Sequence, residues 1–149
     1  MTLKSLIAKD SILIVEQNPR ELTDAINLCC ETLVKANKVS TEYPAAIIRS
    51  HAELGAYYVL APRIAMPHAR PEDGVNELCL QLTVFKNGMD FGSEENGDVF
   101  VAITLAAIDG DSHIQTIMLL AELFQNDDDI DAIINATSPA EVYEIISKY

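Results

Sequence analysis

Two periods organise the hydrophobic positions of this chain. Apolar runs rich in β-branched and aromatic residues stand at 11–15 (Ser-Ile-Leu-Ile-Val), 57–61 (Tyr-Tyr-Val-Leu-Ala), 78–85 and 99–106, each of strand length. The last two flank a polar segment at 86–98, rich in Gly, Asn and acidic residues, and predict the central strands of one sheet joined by a loop. Elsewhere the spacing turns helical. Leu22, Ala25, Ile26, Cys29, Cys30, Leu33 and Val34 form one amphipathic stripe ending near Lys38, and a second helix follows Ser40 or Thr41 and runs to about Leu54, before Gly55. Ile114, Ile117, Met118, Ala121 and Phe124 continue the pattern behind Ser112-His113-Ile114-Gln115, a Ser-x-x-Gln capping box that predicts a helix beginning at His113. Two short helices, 128–134 and 139–148, close the chain, the second with Ser138 as N-cap and Pro139 at its first position. Helices interspersed with strands make this an α/β chain: a small mixed β-sheet flanked by helices. No linker, repeat or low-complexity segment divides residues 1–149, so a single domain is expected.

The chemistry concentrates in Ala61-Pro62-Arg63-Ile64-Ala65-Met66-Pro67-His68-Ala69-Arg70-Pro71. This segment sets a histidine between two prolines on a loop that follows a strand. Pro67 and Pro71 restrict the backbone, so a side chain held there loses little entropy on engaging a partner. Imidazole, with an ordinary pKa of about 6.5, is a neutral nucleophile near pH 7 and needs no separate activating base. A transferring phosphoryl group spreads charge over its oxygens, so donors should surround the nucleophile. His113 at a helix start, with its ring and a helix-terminal N–H, and Arg70 are the candidates, together with Ser112 as a phosphate-binding hydroxyl.

The run Ile64-Ala65-Met66-Pro67-His68 resembles the Ile-Ala-x-Pro-His core of the mannitol/fructose-class enzyme IIA domains of the sugar phosphotransferase system. The flanking Tyr58-Val59-Leu60-Ala61-Pro62 and Ala69-Arg70-Pro71-Glu72-Asp73-Gly74-Val75 resemble the ascorbate-type branch more than the mannitol or fructose branches. The likeness extends to residues 109–124, where the family has a second histidine opening a Leu-rich helix, here His113, and it spans essentially the whole chain. It implies a cytoplasmic phosphocarrier without a cofactor. His68 would take the phosphoryl group from the phosphohistidine of HPr and pass it to a cysteine of enzyme IIB, while His113 hydrogen-bonds the imidazole or the phosphate across the pocket. The membrane enzyme IIC would be an indirect partner. Two departures stand out. Ala69 occupies a position where many relatives have glycine, so the backbone after His68 need not adopt positive φ here. Mannitol-type members also have an active-site arginine before the core; spacing does not place Arg49 unambiguously on it, so Arg49 stays a candidate and the phosphate-facing arginine is otherwise Arg70 or absent.

Composition narrows the alternatives. Ten basic against 23 acidic residues give a net charge of −13 with no basic cluster, which disfavours nucleic acid and anionic membrane surfaces as partners. No apolar stretch reaches the roughly 20 residues of a spanning helix, so direct membrane insertion is not expected. The three cysteines, two of them adjacent at Cys29 and Cys30, fit packing positions and no disulfide framework. His51 is expected on the surface of its helix, and Tyr57 and Tyr58 in core or rim packing. The acidic run 126–131 fits a helix start. Two other functions compete: a metal-dependent hydrolase using His68, His113 and Asp111, which lacks any HExxH- or HxH-type pair, and a regulatory domain switched by phosphorylation of His68.

Overall fold

A computed structural model describes residues 1–149 as one five-stranded sheet between two helical layers. The strands are β1 (Ile12–Val15), β2 (Val59–Ala61), β3 (Arg63–Ala65), β4 (Cys79–Met89) and β5 (Val99–Ala106), arranged β1-β4-β5-β3-β2. β1 lies parallel to β4 and β3 parallel to β5, while β4–β5 and β2–β3 are antiparallel, so the sheet is mixed. The helices are α1 (Leu3–Leu6), α2 (Leu22–Lys35), α3 (Glu42–Leu54), α4 (Gly110–Phe124), α5 (Asp127–Asn135) and α6 (Pro139–Ile146). None is long and apolar enough to cross a membrane.

The continuous apolar character of β4 and β5 follows from burial on both sides. Leu80, Leu82, Val84, Val101, Ile103 and Leu105 face one core, with Leu120 and Leu123 of α4, Ile130 and Ile133 of α5, and Val142 and Ile146 of α6. The alternating positions Cys79, Phe85, Ala102 and Ala106 face the other, with Ala25, Ile26, Cys29, Cys30 and Leu33 of α2 and Tyr43 and Ile47 of α3. All three thiols are free and buried; desolvation pushes Cys29 and Cys79 up to about 12, which keeps them protonated packing groups.

Several boundaries differ from those the pattern predicts. The run at 57–61 pairs only from Val59, because Tyr57 and Tyr58 lie in the turn after α3. The proline-flanked segment is not all loop: Arg63, at φ 75°, turns the chain back and opens β3, Arg63–Ala65. β4 continues through the polar Lys86-Asn87-Gly88 to Met89. This extension is anchored where Lys86 Nζ donates to the carbonyls of Ile134 and Ala136 (2.7 Å each), capping the C-terminal end of α5. α4 starts at Gly110, three residues before His113, because Asp109 wins the cap: its Oδ1 accepts from the Ser112 N–H at 2.8 Å. Ser138 and Asn126 cap α6 and α5 through the N–H groups of Glu141 and Asp129. α1 has no counterpart in the predicted elements; its Leu3 is buried, and the Leu3 N–H reaches the Tyr149 carbonyl at 3.2 Å.

Candidate functional site

Parallel pairing brings the two histidines together. β3 and β5 are neighbours running in the same direction, so both leave the sheet at the same end. β3 continues as Met66-Pro67-His68, and β5 continues through Ala107 and Ile108 into the cap of α4. The His68 and His113 rings stand 5.7 Å apart between centroids, tilted by 57°. They share a cleft of about 400 Å³ with Ser50, Leu54, Tyr57, Ala69, Arg70, Pro71, Asp109 and Gly110. Crevices beyond the carboxyl ends of strands are the usual place for ligands in open α/β sheets.

His68 is half-buried, and its ring is oriented from behind. Nδ1 lies 2.7 Å from the Met66 carbonyl oxygen. A carbonyl can only accept, so Nδ1 carries the proton and the lone pair of the neutral ring sits on Nε2. The Tyr57 ring meets the imidazole edge-on at 5.4 Å and 84°, and its hydroxyl donates to the His68 carbonyl at 2.5 Å. Tyr43, wholly buried, accepts from the Ala69 N–H at 2.9 Å and donates to the Leu105 carbonyl at 2.6 Å. Ala69 is not among the residues at positive φ, as its replacement of glycine implies.

His113 is also half-buried, and its pKa is held below the ordinary histidine value first by desolvation and then by the neighbouring His68. Its N–H is committed to the Asp109 carbonyl at 3.1 Å, so the earlier start of α4 leaves His113 only its ring to offer; Gly110 brings the head of the helix to the cleft. Ser112 is outside the cleft lining. Its hydroxyl lies 3.3 Å from the Asp109 N–H and 3.1 Å from the Asp109 carbonyl, within the cap, and the Asp109 carboxyl is in turn held below its usual pKa by the Ser112 N–H. Arg70 is exposed on the rim. Arg49 is outside the cleft and lines an adjoining depression of about 190 Å³ that also touches Ser50, Arg70 and Asp73.

The pattern of apolar residues missed Tyr43, Ser50 and Tyr57 as site residues. It also misplaced His51, which is half-buried: its Nδ1 stands 2.8 Å from the Tyr58 hydroxyl, and desolvation lowers its pKa. No three His, Cys, Asp or Glu side chains are grouped so as to hold a metal ion, and Asp111 does not line the cleft with His68 and His113.

Residues 5–149 match the family described as phosphoenolpyruvate-dependent sugar phosphotransferase system, EIIA 2. The ascorbate-specific PTS system EIIA component of Shigella boydii is 32% identical over 99% of this chain and 97% of its own length; that of Escherichia coli K12 is 30% identical with the same coverage. Among solved structures, the mannitol-specific cryptic phosphotransferase enzyme IIA CmtB of Escherichia coli superposes with a TM-score of 0.91 at 32% identity over the whole of both chains. The complex of enzyme IIA and phosphorylated enzyme IIB of the Escherichia coli mannitol system matches with a TM-score of 0.79 at 26% identity, covering 93% of this chain and 96% of that one.

Proposed function

This chain belongs to the EIIA 2 family of the phosphoenolpyruvate-dependent sugar phosphotransferase system, a phosphotransferase component, and on that premise we propose that His68 is its phosphoryl carrier. In this reading HPr is the donor and a cysteine of an enzyme IIB the acceptor, both in the cytoplasm, and the sugar taken up through the membrane enzyme IIC is L-ascorbate or a related acid sugar. The names of the full-length relatives support the sugar class, and the solved IIA–IIB complex supports the acceptor.

The observation that carries the reading is the bond between His68 Nδ1 and the Met66 carbonyl, opposite the His113 ring. With the proton fixed on Nδ1, the Nε2 lone pair attacks the phosphorus of phospho-HPr in line; the donor N–P bond breaks and its electron pair returns to the donor imidazole. No proton has to move. The phosphorylated ring is cationic, and its Nδ1–H then makes a stronger, charge-assisted bond to Met66. In the second half the enzyme IIB thiolate attacks phosphorus and the N–P electron pair returns to Nε2. His113, disfavoured as a cation by its burial, serves as a neutral N–H donor to a phosphoryl oxygen, and Arg70 supplies charge from the rim. Ser112 acts through the cap that sets the head of α4 beside the cleft.

Phosphoenolpyruvate labelled in its phosphoryl group, passed through enzyme I and HPr, tests this. The unmutated chain should take up acid-labile label and His68→Ala none, while His113→Ala should still be labelled but transfer about 100-fold more slowly, the typical loss of one transition-state donor. Label retained by His68→Ala, or none on the unmutated chain with competent HPr, overturns the assignment.

A further inference from the structure

We propose that Tyr43 and Tyr57 are positioning residues for phosphoryl transfer, their hydroxyls gripping opposite ends of the one peptide unit that follows His68. The proposal rests on the reading of His68 as the carrier. The carbonyl of His68 and the N–H of Ala69 belong to a single planar group, with oxygen and hydrogen pointing in opposite directions in the trans form. Tyr57 donates to the oxygen at 2.5 Å, and Tyr43 accepts from the nitrogen at 2.9 Å.

The grip extends to the peptide on the other side of His68. The hydroxyl proton of Tyr43 goes to the Leu105 carbonyl at 2.6 Å, since its other acceptor, the Ala69 carbonyl at 3.4 Å, is too distant to compete. The Leu105 N–H in turn donates to the Pro67 carbonyl at 3.0 Å. Both peptide planes meeting at the His68 Cα are therefore tied, one to β5 and the other to the two tyrosines. Fixing both planes fixes φ and ψ of His68 and hence the direction of its Cα–Cβ bond. The remaining freedom, rotation of the ring, is limited by the Met66 carbonyl and by the edge-on Tyr57 ring.

Helix α3 delivers both hydroxyls. Tyr43 is in its first turn and Tyr57 in the turn beyond its C-terminal end, so the helix straddles the loop. Burial raises the pKa of both phenols, which keeps Tyr57 a donor and Tyr43 a simultaneous donor and acceptor at any working pH. In-line transfer depends on a near-attack geometry in which small misplacements are expensive. A nucleophile on a loop, otherwise free to swing, is here pre-set before its partner arrives.

Phenylalanine at either position keeps the ring and deletes the grip. Measured with phospho-HPr as donor, Tyr57→Phe and Tyr43→Phe should each lower the maximal transfer rate about tenfold, equivalent to about 1.4 kcal/mol, with the KM for phospho-HPr and the final extent of labelling unchanged. Because both hydroxyls hold the same peptide, the double variant should lose clearly less than the product of the single losses. The Ala69 amide, followed by NMR hydrogen exchange, should lose protection in Tyr43→Phe. If Tyr43→Phe does not fold, Tyr57→Phe decides alone, since Tyr57 is only half-buried. Rates within twofold of the unmutated chain, or a rise in KM with the maximal rate intact, overturn the positioning role while leaving His68 as carrier. An unmutated chain that takes no label, by contrast, sinks the carrier reading itself.

Discussion

Gln81 offers a prediction whose size can be worked from the structure. It is wholly buried near the start of β4, on the face covered by α2, and uses the full hydrogen-bonding capacity of its amide. Oε1 accepts from the Thr32 N–H at 3.0 Å and from the Thr32 hydroxyl at 2.8 Å; Nε2 donates to the Leu28 carbonyl at 2.8 Å and to the Thr83 hydroxyl at 2.9 Å. Leu28 and Thr32 are four residues apart, so the amide reaches across one rung of the helix and ties α2 to the sheet. Ser11, with its Oγ 3.0 Å from the Thr32 hydroxyl, extends the network to the residue before β1.

Gln81→Met retains the unbranched shape and removes the polarity. Two backbone groups and two hydroxyls lose a partner, and a buried polar group left unsatisfied costs about 1–3 kcal/mol. The hydroxyls can turn elsewhere, and the contacts with α2 are only part-buried, so we count the two backbone groups at the low end. The burial of the apolar methionine offsets what the two hydroxyls lose. The net expectation is a destabilisation of about 2 kcal/mol. With a urea m-value of about 2 kcal/mol/M, typical of a small domain, the midpoint should fall by about 1 M at unchanged m. None of the four hydrogen bonds of Gln81 goes to a residue lining the cleft, so phosphoryl transfer by the folded variant should stay at the unmutated rate. A midpoint that holds or rises would mean that α2 closes its own rung without the amide, and that the network contributes nothing net to stability.

Acidification should weaken the fold in two stages. His51 and His113 have pKa values lowered by burial, so below about pH 6.5 the unfolded chain binds protons that the folded chain refuses; stability should be full above that range and decline as pH falls through it. Melting temperatures followed from pH 8 to 5 should show the decline, and a double variant, His51→Gln with His113→Asn, should flatten it. A second loss should begin below about pH 4, where Asp109, Asp129 and Glu141, all held low by hydrogen bonds in the folded state, take up protons. Separately, Ser138→Ala removes the cap of α6 and should cost about 1 kcal/mol by urea denaturation, with no effect on transfer.

Elements whose signal is local were legible. β5 reads directly because an uninterrupted apolar run ends in Asp109-Gly110, and α6 because Ser138-Pro139 is a helix start in itself. His68 stood out through two flanking prolines and a family core, and His113 through its place at the head of a Leu-rich helix. Elements that depend on distant partners were not. The polar end of β4 is a strand because Lys86 finds the end of α5 some 50 residues away. β3 hides in the proline-flanked segment because its turn rests on a positive φ at Arg63, which nothing in a side-chain pattern announces. The start of α4 was misplaced because two capping residues, Asp109 and Ser112, stand three apart and the pattern alone does not say which is the cap.

The proposed nucleophile is easier to see in the sequence than its support, for the same physical reason. A phosphoryl carrier needs one imidazole, and its loop chemistry is written within a few consecutive residues. Holding that imidazole in one orientation takes groups on α3, β5 and the turn before β2, and these meet the loop because β3 pairs in parallel with β5 while α3 packs into the core shared with Ala65 and Ala102. Tyr43 is buried in the core and Tyr57 packs half-buried against it, so an aromatic ring suits both positions and conceals the hydroxyl. Their phenolic oxygens reach the loop across 26 and 11 residues of sequence. The discriminating substitution is therefore the one that periodicity cannot distinguish from the native residue: phenylalanine keeps the ring and deletes only the hydroxyl, so a loss of transfer rate in a variant that folds belongs to the site.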